Sequence, residues 1–160
     1  MRELYIATHG HYAQGIVSAL NLLVGDDHGV TPICAYCGDI GSTAELAARF
    51  EAIVQQTISQ QKELVLFTDM PGGSVNNTAV QLLVKYPHIH VISGANLIML
   101  MEFCLSEQTE TLARIQDAIT AASGAMQYVN RLPEILTARQ AESSVPADDM
   151  DGFFAAERPL

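Results

Sequence analysis

The stretch Leu64-Val65-Leu66-Phe67-Thr68-Asp69-Met70-Pro71-Gly72-Gly73-Ser74 decides the fold. Its first four residues form a short continuous apolar run, the pattern of a central strand covered by helices on both faces. The run stops at Thr68-Asp69, and Met70-Pro71-Gly72-Gly73 cannot continue regular structure. Ser74 then stands as the N-cap of a helix carrying Val75, Ala79, Leu82 and Leu83. Strand, glycine turn and helix in that order make half of a βαβ unit, so the same alternation is expected on either side.

Upstream, Leu4–Ala7 reads as a first strand. After Thr8-His9-Gly10, the residues Ala13, Ile16, Val17, Leu20, Leu23 and Val24 recur at helical spacing, and Gly25 follows where a helix ends. A second strand is expected near Val30–Tyr36. The capping-box spacing Ser42-Thr43-Ala44-Glu45 then opens a helix with Leu46, Phe50, Ile53, Val54 and Ile58 on one face. Downstream, a fourth strand, Ile89–Ser93, leads through Gly94-Ala95-Asn96 into an apolar helix from Leu97 to Leu105. An amphipathic helix over Thr109–Ser123 follows, with Leu112, Ile115, Ile119 and Ala122 inward and Gly124 as its stop. Met126–Leu132 reads as one more short strand ended by Pro133. The expected architecture is three-layer α/β/α around a mainly parallel sheet of order 2-1-3-4.

The 160 residues suit one domain, read as 1–132, with 133–160 an acidic, mobile tail in which Phe153-Phe154 is a candidate docking pair. Eight Lys and Arg against 18 Asp and Glu give a formal charge of −10, which disfavours nucleic acid and anionic membranes. No apolar run approaches the ~18–20 residues of a membrane-spanning helix. The N-terminus enters a strand-like run without a signal-peptide pattern, and the three cysteines fit reduced thiols, so a cytoplasmic location is expected. Neither a P-loop nor a G-x-G-x-x-G pattern is present, and no cofactor is expected. Cys34-Ala35-Tyr36-Cys37 is a C-x-x-C, but on an extended strand the two thiols point to opposite faces. No shared metal is expected there, and Cys104 reads as core.

Open α/β sheets bind ligands beyond the carboxyl ends of their strands, where the strand order reverses. In the order 2-1-3-4, His9 and Asp69 end neighbouring strands and face each other across that point. A carboxylate holding one ring nitrogen as N–H leaves the other nitrogen as a lone-pair nucleophile. The Gly72 and Gly73 amides and the helices starting near Tyr12 and Ser74 favour an anion. Such a site suits a histidine that accepts a phosphoryl group.

On these residues the chain resembles the IIA component of the mannose-family sugar phosphotransferase system. The resemblance spans residues 4–132 and rests on Thr8-His9-Gly10, on Phe67-Thr68-Asp69 with Gly72-Gly73-Ser74, and on Val91-Ile92-Ser93-Gly94-Ala95-Asn96-Leu97. It implies that His9 is phosphorylated by the histidine-containing phosphocarrier protein and passes the group to the IIB component. The membrane IIC and IID components would be indirect partners. Asp69 would orient His9, and Ser74 with the Gly72 and Gly73 amides would hold the phosphoryl oxygens. It also implies a homodimer that exchanges its last strand, which suits Met126–Leu132. Pro71 and Val75-Asn76-Asn77 depart from the family's commoner residues, and the sugar is not readable. Three other readings are weaker. The phosphocarrier subunit of dihydroxyacetone kinase resembles the same fold, but the Asp69–Ser74 loop suits a sugar IIA better. A receiver domain needs an acidic pair where Thr8-His9 stands, and a histidine phosphatase needs an arginine in place of Thr8.

Overall fold

In the computed structural model, which describes residues 1–144, the apolar run around Leu64 is the third strand of a four-stranded sheet. The strands are β1 (Arg2–His9), β2 (Val30–Ala35), β3 (Glu63–Thr68) and β4 (His90–Ser93), in the order β2-β1-β3-β4. All are parallel, with Ala7 opposite Thr68, His9 opposite Ala35 and Thr68 opposite Ser93. β1 and β3 are therefore central and need apolar residues on both faces. Ile6, Val65 and Phe67 enter one core with Leu20, Met99, Leu100, Phe103 and Ile115. Tyr5, Ala7, Leu64 and Leu66 enter the other with Leu46, Phe50, Val54, Val75 and Ala79. Alternation along a strand sends successive side chains to opposite layers, so Leu64–Phe67 has no polar position.

The first layer is built by α1 (Tyr12–Val24), α4 (Leu97–Leu105) and α5 (Thr111–Gly124), the second by α2 (Thr43–Ser59) and α3 (Ser74–Lys85). Capping sets two of the helix starts. Ser42 accepts the Glu45 N–H at 3.2 Å and Asn96 accepts the Met99 N–H at 3.0 Å. Phe67 meets Phe103 edge to face at 5.4 Å, tying the central strand to α4.

Within the first 125 residues the structure departs from the sequence reading at β2, α3 and α5. Tyr36 does not continue β2, because it adopts a left-handed φ of 64° and turns the chain. Ser74 is the first helical residue of α3 rather than its cap, with Gly73 in the cap position and the Ser74 hydroxyl turned away from the helix amides. On α5 only Thr111, Ile115, Ala118 and Ala122 are buried, and Leu112 and Ile119 are exposed. The apolar stripe of α5 is wider than the surface that covers it.

The chain forms two units, Met1–Ala125 and Met126–Leu160. In the second, Met126–Leu132 is not a strand: Val129–Arg131 make a 3-10 turn, since a strand requires a neighbour for its main-chain groups. Pro133–Ser143 form a helix, α6, where an irregular tail is expected. The reason is Pro133 itself, which takes the first helical position, where its fixed φ and missing N–H suit a helix start. The Phe153-Phe154 pair lies outside the described residues.

Candidate functional site

β1 and β3 end side by side, and at each end a buried threonine is followed by a polar residue: Thr8-His9, with His9 the last residue of β1, and Thr68-Asp69, with Thr68 the last of β3. The Thr8 hydroxyl accepts the Ala13 N–H at 2.7 Å and so seats the first turn of α1 on the strand end. Gly10, at φ 56°, makes the intervening turn and donates its N–H to the Ala35 carbonyl at 2.9 Å. The Thr68 hydroxyl donates to Asn76 Oδ1 at 2.7 Å, which fixes α3 to the end of β3 in the same way.

His9 and Asp69 meet as expected. Asp69 Oδ2 accepts the His9 backbone N–H at 2.8 Å and lies 2.7 Å from His9 Nδ1, and Oδ1 accepts the Met70 N–H at 2.9 Å. Burial alone raises the carboxyl pKa, but the hydrogen bonds from the His9 backbone, the His9 ring and Met70 outweigh it and hold Asp69 below the ordinary carboxylate value. An ionised carboxylate only accepts, so the proton of the pair resides on Nδ1. In the neutral imidazole Nε2 then carries the lone pair. It faces the Ser74 hydroxyl at 3.2 Å, and Ser74 Oγ lies 2.6 Å from the Tyr36 hydroxyl, which in turn stands 3.2 Å from Thr43 Oγ1. The His9 ring also lies against Tyr36, with centroids 5.5 Å apart.

The two glycines act differently. Gly72 requires its residue type because of a φ of 78°. Gly73 has an ordinary φ, but a Cβ there would stand 2.9 Å from Met70 Cγ and 3.2 Å from His9 Cε1. Its absence lets the start of α3 approach the imidazole. The Gly73 N–H turns to the Met70 carbonyl at 3.3 Å, whereas the first helical amides, those of Ser74 and Val75, have no acceptor within the helix. The carboxylate, the imidazole with one free nitrogen, the hydroxyl and the open helix N-terminus thus converge at one rim, with the His9 side chain 41% exposed.

Sequence reasoning missed Tyr36, because nothing local distinguishes it from a strand residue. The paired Thr-His and Thr-Asp strand ends carried a readable signal for Thr8 and Thr68. The expectation that the Cys34 and Cys37 thiols point to opposite faces does not hold. The turn at Tyr36 brings Cys37 back beside Cys34, so the thiols lie on the same side, with His11 next to both. Cys104, by contrast, packs against the first core, and burial pushes its thiol up to about 11, only partly opposed by the Arg114 charge.

A parallel sheet of order 2-1-3-4 with an imidazole and a carboxylate paired across its switch point defines an α/β domain with a histidine–aspartate pair at the carboxyl ends of its central strands. The sequence model of one such family, described as PTS system fructose IIA component (EIIA-man), matches residues 3–120. The chain belongs to this mannose-type phosphotransferase system IIA family. The mannose-specific EIIAB component of the phosphotransferase system of Escherichia coli (strain K12) is 27% identical over 107 residues, which are 67% of this chain and 32% of that protein. The chain spans about a third of that relative's length. A solved chain from Klebsiella pneumoniae, provisionally described as a phosphoenolpyruvate-dependent sugar phosphotransferase system permease, superposes with a TM-score of 0.71 at 32% identity, over 81% of this chain and 92% of that one. Phosphotransferase system component EIIA from Streptococcus agalactiae superposes with a TM-score of 0.70 at 28% identity, over 82% of this chain and all of that one. Among the described residues, no helix is long and apolar enough to cross a membrane.

Proposed function

We propose that the chain is a phosphohistidine relay of a sugar phosphotransferase system, acting in the cytoplasm. His9 receives a phosphoryl group from the histidine-containing phosphocarrier protein and passes it to a IIB component, which serves the membrane IIC and IID components. The observation that carries this reading is the division of labour on the His9 ring: Nδ1 is held by Asp69, and Nε2 points at Ser74 and the start of α3.

In the forward step the Nε2 lone pair attacks phosphorus in line, and the P–N bond to the donor imidazole breaks as the new bond forms. Asp69 keeps the proton on Nδ1 and balances the positive charge that grows on the ring. The Ser74 hydroxyl turns from Nε2 to a phosphoryl oxygen. The Gly72, Gly73 and Ser74 amides lie in the same turn, where the dipole of α3 favours the transferred dianion. The His9 exposure leaves room for a partner protein to reach the nitrogen. The exposed side chains Leu112 and Ile119 on α5, and Met126, Tyr128 and Val129 after it, support a homodimer, formed in part by exchange of Met126–Leu132.

The test is incubation with phosphoenolpyruvate, enzyme I and the phosphocarrier protein, followed by mass spectrometry under conditions that preserve phosphoramidates. One acid-labile phosphoryl group on His9, absent from His9→Ala, is expected. Phosphate on His9→Ala, or on Asp69, would sink the reading.

A further inference from the structure

Beside the phosphoryl-transfer rim, a second set of chemically specific side chains gathers at the end of β2. His11, Cys34 and Cys37 each bring one nitrogen or sulfur to within 4.8 Å of the others. His11 Nδ1 stands 3.9 Å from Cys37 Sγ, and Cys37 Sγ lies 3.6 Å from the Cys34 carbonyl. The grouping arises from three elements. Cys34 is on β2, Cys37 follows the left-handed turn at Tyr36, and His11 precedes α1, next to that strand end. A bridge between Cys37 and Ile40 and the hydrogen bond from the Tyr36 N–H to the Ile40 carbonyl at 2.7 Å hold the turn closed.

We propose that His11, Cys34 and Cys37 form a metal site for a zinc-class divalent cation. Two thiolates and a neutral imidazole are the soft donor set that selects zinc over the hard cations, and a pair of cysteines separated by two residues is a recurrent half of such sites. With Zn–S near 2.3 Å and Zn–N near 2.0–2.1 Å, tetrahedral ligand atoms stand roughly 3.4–3.8 Å apart. The 3.9 Å pair stands just beyond that spacing, all three ligand atoms already lie within 4.8 Å of one another, and His11 is exposed and free to rotate toward the thiols. Two thiolates neutralise the ion, and the fourth position is open to water or to Asp39, which lines the same cleft of about 770 Å³. The three ligands lie outside the His9–Asp69–Ser74 arrangement. Tyr36, between the two cysteines, is the residue whose hydroxyl reaches Ser74.

The full chain, reduced and kept free of oxygen, is titrated with cobalt(II) and then with zinc(II). The expected result is one equivalent of cobalt per chain, with a thiolate-to-cobalt charge-transfer band and the strong visible bands of tetrahedral cobalt, displaced by an equivalent of zinc. Cys37→Ser and Cys34→Ser lower the affinity by more than ~100-fold, beyond what the loss of a ligand's outer partner does. His11→Gln shifts or removes the visible bands, and Cys104→Ser, which alters the buried thiol elsewhere, leaves them unchanged. Circular dichroism confirms that each variant is folded, and Cys37→Ala serves where Cys37→Ser does not fold. A wild-type chain without the thiolate band overturns the site, and so does undiminished affinity in Cys37→Ser or Cys37→Ala. Loss of the band in Cys104→Ser but in neither of the other cysteine variants would also overturn it.

Discussion

Asp69 governs His9 because one carboxylate oxygen accepts from both its backbone and its ring. Asp69→Asn keeps a group of the same shape but no longer selects the tautomer with Nε2 free. Phosphoryl transfer should fall by about 10²–10⁴-fold while the circular dichroism spectrum stays unchanged. Because the folded pKa of Asp69 lies below its unfolded value, its contribution to stability is present above the ordinary carboxylate value of ~3.9 and is lost as pH falls through the lower folded value. Urea midpoints of wild type and Asp69→Asn should therefore differ by a constant amount above about pH 5 and converge below about pH 4. A difference that persists at the acid end would mean that Asp69 acts by packing rather than by charge. Gly73→Ala tests the close approach of α3. Its methyl would sit 2.9 Å from Cγ of the exposed Met70 side chain, which must move aside, and 3.2 Å from His9 Cε1, which displaces the ring by a few tenths of an ångström. Transfer should drop by roughly tenfold, with thermal stability little changed, because the backbone φ of −71° suits alanine.

At the level of elements, the two strand-to-helix junctions use the same device. A buried threonine hydroxyl holds the following helix, Thr8 on α1 and Thr68 on α3. Thr68→Val removes the donor to Asn76 and leaves a nearly buried amide oxygen without its partner. A loss of about 1–3 kcal/mol in urea unfolding is expected, with transfer slowed because α3 carries Ser74. If Thr68→Val proves as stable as wild type, the hydroxyl does not hold the junction. The strands and helices from Arg2 to Gly124 were largely legible, since central parallel strands have uniformly apolar runs and the helices show a 3.6 period. Their ends were less so. Nothing in Ile33-Cys34-Ala35-Tyr36 announces that Tyr36 will turn at φ 64°, because a left-handed tyrosine is a cost met by surroundings that come from elsewhere in the chain.

At the scale of the whole molecule, Leu112 and Ile119 of the first unit are exposed, and so are Tyr128 and Val129 of the second; in the proposed homodimer, exchange of Met126–Leu132 would cover Tyr128 and Val129. A 3-10 turn is what that segment adopts in a single chain, and pairing with a second copy would extend it. Truncation after Pro133 should leave a dimer in light scattering, whereas truncation after Gly124 should give monomer or aggregate. A stable dimer from the shorter chain would place the interface on α5 instead.

The sequence by itself determined the alternation of strands and helices, the apolar central strands, and the pairing of His9 with Asp69. Each depends on local period, on glycine and cap positions, or on the rule that ligands gather where strand order reverses. Only the tertiary structure decided which ring nitrogen is free, that the Ser74 hydroxyl faces His9 instead of capping its helix, and that Tyr36 closes over both. It alone brought His11, Cys34 and Cys37 together. These outcomes depend on distances between segments far apart in the chain. Periodicity shows which face of a strand or helix is buried, but not which side chains from separate strand ends meet.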